Sequence, residues 1–218
     1  VEGTGRVLSH AAVSIEGERI TAVGQGASSI PRGARVIDLR RYTGIPGLID
    51  VHTHMTYYWD QKPETQPWSQ QGRRQSAVTV FLAQENARKT LETGVTTVRD
   101  LGSSEYADIA MRDLINRGAM VGPRMFVAGF GLQRARTAPR PGAPLGVPRG
   151  RVTDISQISQ AVEAQVNAGA DVIKMYGSTG SAADVSGRQT FTFEEMKAAV
   201  DAAHRLGKTI AIHSYGPE

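Results

Sequence analysis

The feature that most constrains this chain is an apolar segment ending in two histidines, IPGLIDVHTH at residues 45–54. Side chains at positions i and i+2 of a β-strand point to the same face, so His52 and His54 project together from the strand's end. Two imidazoles on one face can bind the same metal ion. The alternative is that two polar residues merely close the strand. The preceding Pro-Gly and a later lysine and histidine favour the metal.

The amino-acid composition argues against several classes of function. The chain has 218 residues, 40% of them hydrophobic, which suits one large α/β domain with a small appendage. A net charge of +4, with arginines dispersed outside residues 133–151, argues against a nucleic-acid-binding protein. No apolar run is long enough for a membrane helix. The absence of cysteine excludes disulfides and thiolate ligands, leaving histidine, carboxylates and modified lysine.

The first 44 residues predict a small β module, the N-terminal part of a β-sandwich. Short strand patterns cover residues 10–15, 19–23 and 35–39, separated by turn-forming residues. The sequence begins at Val1 rather than methionine, so its start was removed or is absent. Localisation therefore stays open between the cytoplasm and, if a signal peptide was removed, the periplasm or exterior.

Residues 45–218 predict a barrel domain in which strands alternate with helices. Apolar strands are expected at residues 45–54, 95–101, 124–129, 170–176 and 208–213, with helices at 75–92, from Ser103 or Ser104 to 117, 154–168 and 192–207. Strands that are apolar throughout indicate a parallel sheet covered on both faces. We expect a (β/α)8 TIM-type barrel, of which about five βα units are present. A doubly wound sheet is less favoured, because no glycine-rich phosphate loop follows the first strand.

Two further polar side chains close predicted strands, Lys174 and His213. A lysine in an interior strand is unfavourable unless it is paired, modified or neutral. Carboxylation by carbon dioxide would turn it into an anion with two oxygens that can bridge two metal ions, and desolvation promotes this by favouring the neutral amine. The alternatives are a lysine that extends to the barrel mouth and a histidine that only packs there.

Several segments together resemble the metal-dependent amidohydrolase superfamily, in particular its imidazolonepropionase-like branch with Xaa-Pro dipeptidase-type enzymes. These segments are PGLIDVHTH at 46–54, GVTTVRD at 94–100, GPR at 122–124, AGADVIK at 168–174 and HSYGP at 213–217. The resemblance implies that His52 and His54 bind the more buried of two metal ions, expected to be zinc. It also implies that carboxylated Lys174 bridges both ions and that His213 binds the second.

The resemblance further implies that Tyr215 hydrogen-bonds the carbonyl oxygen under attack, while Asp100 orients groups beneath the metals. The aromatic loop after His54 and the basic segment 130–151 are expected to shape the substrate pocket. Within them, Tyr57 and Arg134 are the predicted substrate-binding residues. The family's sixth-strand histidine and eighth-strand aspartate have no counterpart in the sequence, so we expect a further part of the chain or another polypeptide to supply them.

The predicted function is binuclear hydrolysis of an amide bond, in a dipeptide or N-acyl amino acid, through a metal-bridging hydroxide. The expected partners are the small substrate and another copy of the protein, or a second chain that completes the barrel. One alternative is a mononuclear deaminase or imidazolone-type cyclic-amide hydrolase on the same barrel. Another is a noncatalytic barrel fragment or subunit.

Overall fold

A computed structural model describes residues 5–26, 30–71, 74–135, 150–180 and 187–215. The chain divides into two compact units, residues 1–47 and 48–218. The sequence placed the division between residues 44 and 45, just before the Pro-Gly that precedes the first long apolar strand. Each unit is described separately below.

The first unit contains an antiparallel hairpin of β1, Ala11–Glu16, and β2, Arg19–Gln25. The turn between them includes Gly17, whose positive φ of 59° glycine adopts without strain. The prediction of a third strand at residues 35–39 was wrong, since this segment has no regular secondary structure. A strand needs a hydrogen-bonded neighbour, and the apolar residues there pair with none in the described part of the unit. A β-sandwich stays a prediction.

The second unit alternates strands with helices. Its strands are β3 Leu48–Thr53, β4 Val95–Asp100, β5 Arg124–Val127, β6 Gln133–Arg134, β7 Arg151–Val152, β8 Val172–Tyr176 and β9 Thr209–His213. Its α-helices are α1 Pro67–Gln71, α2 Ser76–Glu92, α3 Ala107–Asn116, α4 Ile158–Asn167 and α5 Phe193–Arg205. A 3-10 turn, Ile155–Gln157, leads into α4.

The five longer strands of this unit form parallel ladders. One sheet has the order β3-β4-β5, and β8 pairs with β9. Asp171 connects the two ladders, because its backbone N–H donates to the Val127 carbonyl at 2.8 Å. Its carboxylate also accepts from the Val127 N–H and from Arg112. The arrangement confirms an α/β fold with parallel strands, while closure into an eight-stranded barrel stays a prediction.

The helix starts show how local sequence positions these strands. Thr192 and Glu195 form a reciprocal capping box at the start of α5. Asp154 caps the 3-10 turn before α4, where the sequence had placed the start of the helix. The predicted cap of α3 at Ser103 or Ser104 was wrong. That helix begins after Tyr106, which is in the left-handed region with a φ of 55° and makes no side-chain cap.

Two apolar clusters hold the helices against the strands. One lies among α4, α5 and β8 and includes Ile158, Ile173 and Phe191. The other lies among α2, α3, β4 and β5 and includes Val98 and Met111. Among the helices formed by the described residues, none has both the length and the apolar character needed to span a membrane.

Candidate active site

Polar side chains from three strands meet where those strands end. The rings of His52 and His54 have centroids 5.4 Å apart, and those of His52 and His213 are 5.7 Å apart. Because β3, β8 and β9 run in parallel within their ladders, their carboxyl ends gather the last side chains in one region. The structure therefore brings together residues far apart in sequence that had been predicted as metal ligands.

His54 is held on two sides. Its ring stacks on Tyr57, with centroids 4.4 Å apart and planes 15° from parallel. Its Nδ1 lies 3.0 Å from the carbonyl oxygen of Gly102, just after β4. A carbonyl oxygen only accepts hydrogen bonds, so Nδ1 carries the proton and Nε2 keeps its lone pair. This second contact orients the ring as a neutral ligand requires.

Lys174 is buried without a matching charge. The residue is 1% exposed, and among the described residues its Nζ forms no hydrogen bond or ion pair. Nζ instead lies over the face of the Tyr176 ring, 5.2 Å from the ring centroid. Burial, with a smaller contribution from Arg99, lowers the pKa of Lys174 to about 8. An isolated buried cation is unfavourable, so this side chain is suited to becoming neutral or acquiring another group.

The histidines also favour their neutral forms. Burial, together with Lys174 and the neighbouring rings, lowers the pKa of His52 to about 4. Burial lowers the pKa of His54 as well, against an opposing effect of the Gly102 carbonyl. The pKa of His213 is lowered by burial and by Lys174. Neutral imidazole is the form that binds metal.

Asp100 lies under His54 and is completely buried. Its Oδ2 accepts a hydrogen bond from the Met55 N–H at 2.6 Å, which fixes the backbone immediately after His54. Burial and nearby Asp108 raise the pKa of Asp100 well above its ordinary value. Its Oδ1 has no hydrogen-bond partner among the described residues. These contacts agree with the predicted orienting role.

Three tyrosines border the cluster. Tyr215 packs against His213 with ring centroids 4.3 Å apart, and its backbone N–H donates to the Ser178 hydroxyl at 2.6 Å. Burial raises the pKa of Tyr176 to about 12, with contributions from Tyr57 and Asp100. Burial also raises the pKa of Tyr57, and the charge of Asp100 makes a smaller contribution in the same direction. Tyr57 and Tyr176 thus remain protonated hydrogen-bond donors at neutral pH.

A cavity of about 190 Å³ adjoins His54. Its walls include Tyr57 and Gly102, which contact His54, and Tyr176, which contacts Lys174. The remaining lining residues are Ser103, Ser104, Phe130, Gly131, Gln133 and Arg151. Tyr57, a predicted substrate-binding residue, therefore lines a cavity beside the cluster.

Arg134 has a different environment. Its guanidinium forms an ion pair with Glu195 at 2.5 Å and donates to the carbonyl of Thr153 at 2.7 Å. It also lies over the ring of Phe191, 5.2 Å from the centroid. Arg134 does not line the cavity beside His54 but a second one of about 320 Å³, so substrate binding by this residue stays a prediction. Residues 136–149 of the predicted pocket segment lie outside the described residues.

The polar cluster does not by itself form a closed metal site. Within the part of the chain that the structure describes, no three histidine, cysteine, aspartate or glutamate side chains are grouped so that they could hold a metal ion. The three histidines of the predicted set are therefore not arranged as a metal site on their own, and Lys174 is its fourth member. The donor types nevertheless fit a divalent metal, since neutral histidines lie beside a buried lysine that has no charged partner among the described residues.

Comparison with known proteins identifies the family of this chain. The sequence model of the amidohydrolase family matches residues 43–218, which include every residue of the cluster. The chain belongs to the amidohydrolase family. Ochratoxinase of Aspergillus niger is 27% identical over 253 aligned positions, which cover 99% of this chain and 48% of that enzyme. The present amidohydrolase chain therefore spans about half the length of the curated relatives it matches.

Solved structures give the same family and fold. A Xaa-Pro dipeptidase with methionine bound in its active site is 31% identical, with a TM-score of 0.77 over 94% of this chain and 52% of the other. A prolidase in complex with N-methylphosphonate-L-proline is 27% identical, with a TM-score of 0.78 over 97% of this chain and 53% of the other. The chain matches about half the length of each of these two structures.

Sequence reasoning missed three features of the site: the Gly102 carbonyl, Arg99 and Arg151. Gly102 could have been suspected because it comes two residues after the end of β4. Arg99 donates from Nε to the Val51 carbonyl at 2.7 Å, a contact that requires knowledge of strand register. Arg151 was not distinguished from Arg134, since the surroundings of these two arginines depend on the pairing of β6 with β7.

Proposed function

We propose that this chain provides part of the active site of a binuclear metal-dependent hydrolase. The enzyme would cleave an amide bond in a dipeptide or N-acyl amino acid. The observation that carries the proposal is the meeting of His52, His54 and His213 beside Lys174, which is 1% exposed. An unpaired lysine at this depth lowers stability. Its presence is explained if it supplies a ligand.

The roles of the residues follow from their surroundings. His54 offers Nε2 as a ligand, because Gly102 occupies Nδ1. His52 and His213 offer neutral rings on either side. The neutral amine of Lys174 attacks carbon dioxide, forms an N–C bond and loses a proton, giving a carbamate with two donor oxygens. When bound, two divalent ions, expected to be zinc, would lower the pKa of a shared water and polarise the substrate carbonyl.

Tyr215 is the proposed hydrogen-bond donor to the carbonyl oxygen as negative charge develops there. The Tyr215 backbone is fixed by the Ser178 hydroxyl, and the ring packs on His213, so the phenol stays beside the ligand cluster. A fixed donor of this kind stabilises the transition state more than the ground state. Asp100 and the Met55 N–H hold the His54 backbone in place without contacting the substrate.

The ligands of two relatives support the proposed substrate class. The prolidase structure contains a proline whose nitrogen bears a methylphosphonate, a tetrahedral group resembling a carbonyl carbon under attack by water. The dipeptidase structure holds a free amino acid, methionine. Both ligands carry an α-carboxylate next to the nitrogen of the bond that would be cleaved. We therefore propose a substrate with a free carboxylate on the amine side of the amide.

The proposal is tested by comparing metal content and hydrolysis between the purified protein and its Lys174→Ala variant. We expect Lys174→Ala to lose about one metal ion per chain and to lose hydrolysis of a panel of dipeptides and N-acetyl amino acids. Lys197→Ala is the matched control, since Lys197 is an exposed lysine on α5 paired with Asp201. With ¹³C-bicarbonate, a carbamate signal should appear in the wild type and in the control variant. Unchanged turnover in Lys174→Ala would reject the bridging role.

A further inference from the structure

The lining of the cavity beside His54 combines polar and aromatic side chains. Tyr57, Phe130 and Tyr176 supply aromatic walls, while Ser103, Gln133 and Arg151 supply polar groups. Its described lining contains no acidic residue, so Arg151 gives it a net positive charge. A cavity of this composition is complementary to a ligand that combines an apolar side chain with an anionic group.

Arg151 has no competing partner within the described part of the chain. Its guanidinium forms no ion pair or side-chain hydrogen bond there, although other arginines nearby do. Arg134, on the strand paired with that of Arg151, is bound to Glu195 instead. Of these two arginines on neighbouring strands, only Arg151 lines the cavity and keeps its donors available among the described residues.

Backbone packing places Arg151 at this position. Gly150 and Gly131 approach so closely that a Cβ on Gly150 would overlap the Gly131 carbonyl. This contact lies directly before Arg151 and next to Leu132, which hydrogen-bonds β8 on both sides of Met175. The position of Arg151 is thus tied to the strand that carries Lys174 and Tyr176.

The cavity lies next to the ligand cluster, because two of its lining residues contact His54. Tyr57 stacks on His54, and Gly102 accepts a hydrogen bond from the same ring. A molecule in the cavity would therefore have one end near Arg151 and the other at the edge of the cluster. The volume, about 190 Å³, is below the roughly 300–1,000 Å³ of pockets that enclose a whole small molecule. It suits one amino-acid portion of a substrate.

We propose that Arg151 binds the α-carboxylate of the substrate, while Tyr57, Phe130 and Tyr176 contact the side chain of the same amino acid. This inference rests on the proposed function, because it assigns the carboxylate-bearing half of that substrate to a definite cavity. Arginine suits the task, since its planar guanidinium donates two parallel hydrogen bonds to a carboxylate.

The test compares binding of N-acetyl-L-phenylalanine with that of its carboxamide, N-acetyl-L-phenylalaninamide, by isothermal titration calorimetry. In Arg151→Gln we expect affinity for the acid to fall by about tenfold or more and affinity for the amide to stay the same. Arg151→Lys should lie between the two, because it keeps the charge but loses the planar fork. Arg124→Gln is the control, since Arg124 is an exposed arginine at the start of β5, away from the cavity.

Equal affinities of the wild type for acid and amide would overturn the inference, as would no measurable binding of the acid or an unchanged acid affinity in Arg151→Gln. Binding and hydrolysis separate this inference from the proposed function. Acid-selective binding that depends on Arg151, without hydrolysis of any tested amide, supports the carboxylate site and rejects the hydrolase. Hydrolysis that depends on Lys174, but not on Arg151 or on the substrate carboxylate, supports the hydrolase and rejects the carboxylate site.

Discussion

The Nδ1 atom of His54 lies 3.0 Å from the carbonyl oxygen of Gly102, so a backbone group at the end of one strand orients a side chain at the end of its neighbour. Since the carbonyl can only accept, the ring is fixed as the Nδ1–H tautomer. The lone pair of Nε2 then points away from the backbone. Nε2 of His54 is thereby oriented as a metal ligand before any ion binds.

This tautomer can be observed directly. In ¹⁵N NMR spectra of the metal-free protein at neutral pH, His54 should show a protonated Nδ1 and an unprotonated Nε2. Addition of Zn²⁺ should then shift Nε2. His204 on α5, outside the cluster, serves as an internal reference. A protonated Nε2 on His54 would contradict the assigned orientation.

Replacement of Lys174 by methionine should abolish hydrolysis but stabilise the metal-free protein. Methionine fills a similar volume without a buried charge. The folded-state pKa of Lys174 is about 8, against 10.5 for an ordinary lysine. Below pH 8 the folded protein carries the full penalty of the buried charge, about 3 kcal/mol by the usual conversion. We expect the variant to gain up to about that amount at pH 7.

The pH dependence gives an independent check. Between the folded-state pKa of about 8 and 10.5, the folded state binds fewer protons than the unfolded state. The free energy of unfolding of the metal-free wild type should therefore rise across this interval. Lys174→Met should lack that rise. Urea unfolding at several pH values, in buffers free of carbon dioxide, would measure it, and parallel curves for the two proteins would refute the prediction.

Tyr215→Phe should lower kcat by about 10²-fold or more and leave KM nearly unchanged, since loss of a transition-state hydrogen bond has this effect. The ring contact with His213 is retained by phenylalanine, so unfolding should change little. Tyr42→Phe, at a tyrosine that is 75% exposed in the first unit, is the matched control. An increase in KM with normal kcat would instead place Tyr215 in ground-state binding.

Arg134→Met should destabilise the protein by about 2 kcal/mol without altering selectivity for carboxylate substrates. The side chain of Glu195 is 9% exposed and would lose its cation, while its capping hydrogen bonds at Thr192 remain. Urea unfolding measures the stability, and the acid and amide ligands used for Arg151 measure the selectivity. A loss of acid selectivity in this variant would support the prediction that Arg134 binds substrate.

Much of the second unit could be predicted because its strands and helices have strong periodic patterns. Helix α2 was expected at residues 75–92 and spans Ser76–Glu92. The capping box at Thr192 likewise predicted the start of α5. The start of α3 could not be predicted, because Tyr106 adopts a left-handed conformation that its residue type rarely takes. Residues 35–39 have a strand-like composition but no partner.

The site was predictable to the extent that strand ends determine it. The spacing of His52 and His54 and the apolar strands before Lys174 and His213 placed these residues together, although their binding of metal stays a prediction. The choice between Arg134 and Arg151 was beyond the sequence. It depends on the short parallel pairing of β6 with β7, which directs one guanidinium towards Glu195 and leaves the other at the cavity.

The close contact of Gly131 with Tyr176 limits which substitutions this site can accept during evolution. A Cβ on Gly131 would overlap the Tyr176 ring and come within 3.0 Å of the Lys174 Cγ. A side chain at 131 therefore becomes tolerable only together with a smaller residue at 176. Among natural relatives, a residue other than glycine at 131 should therefore occur only together with a smaller residue at 176.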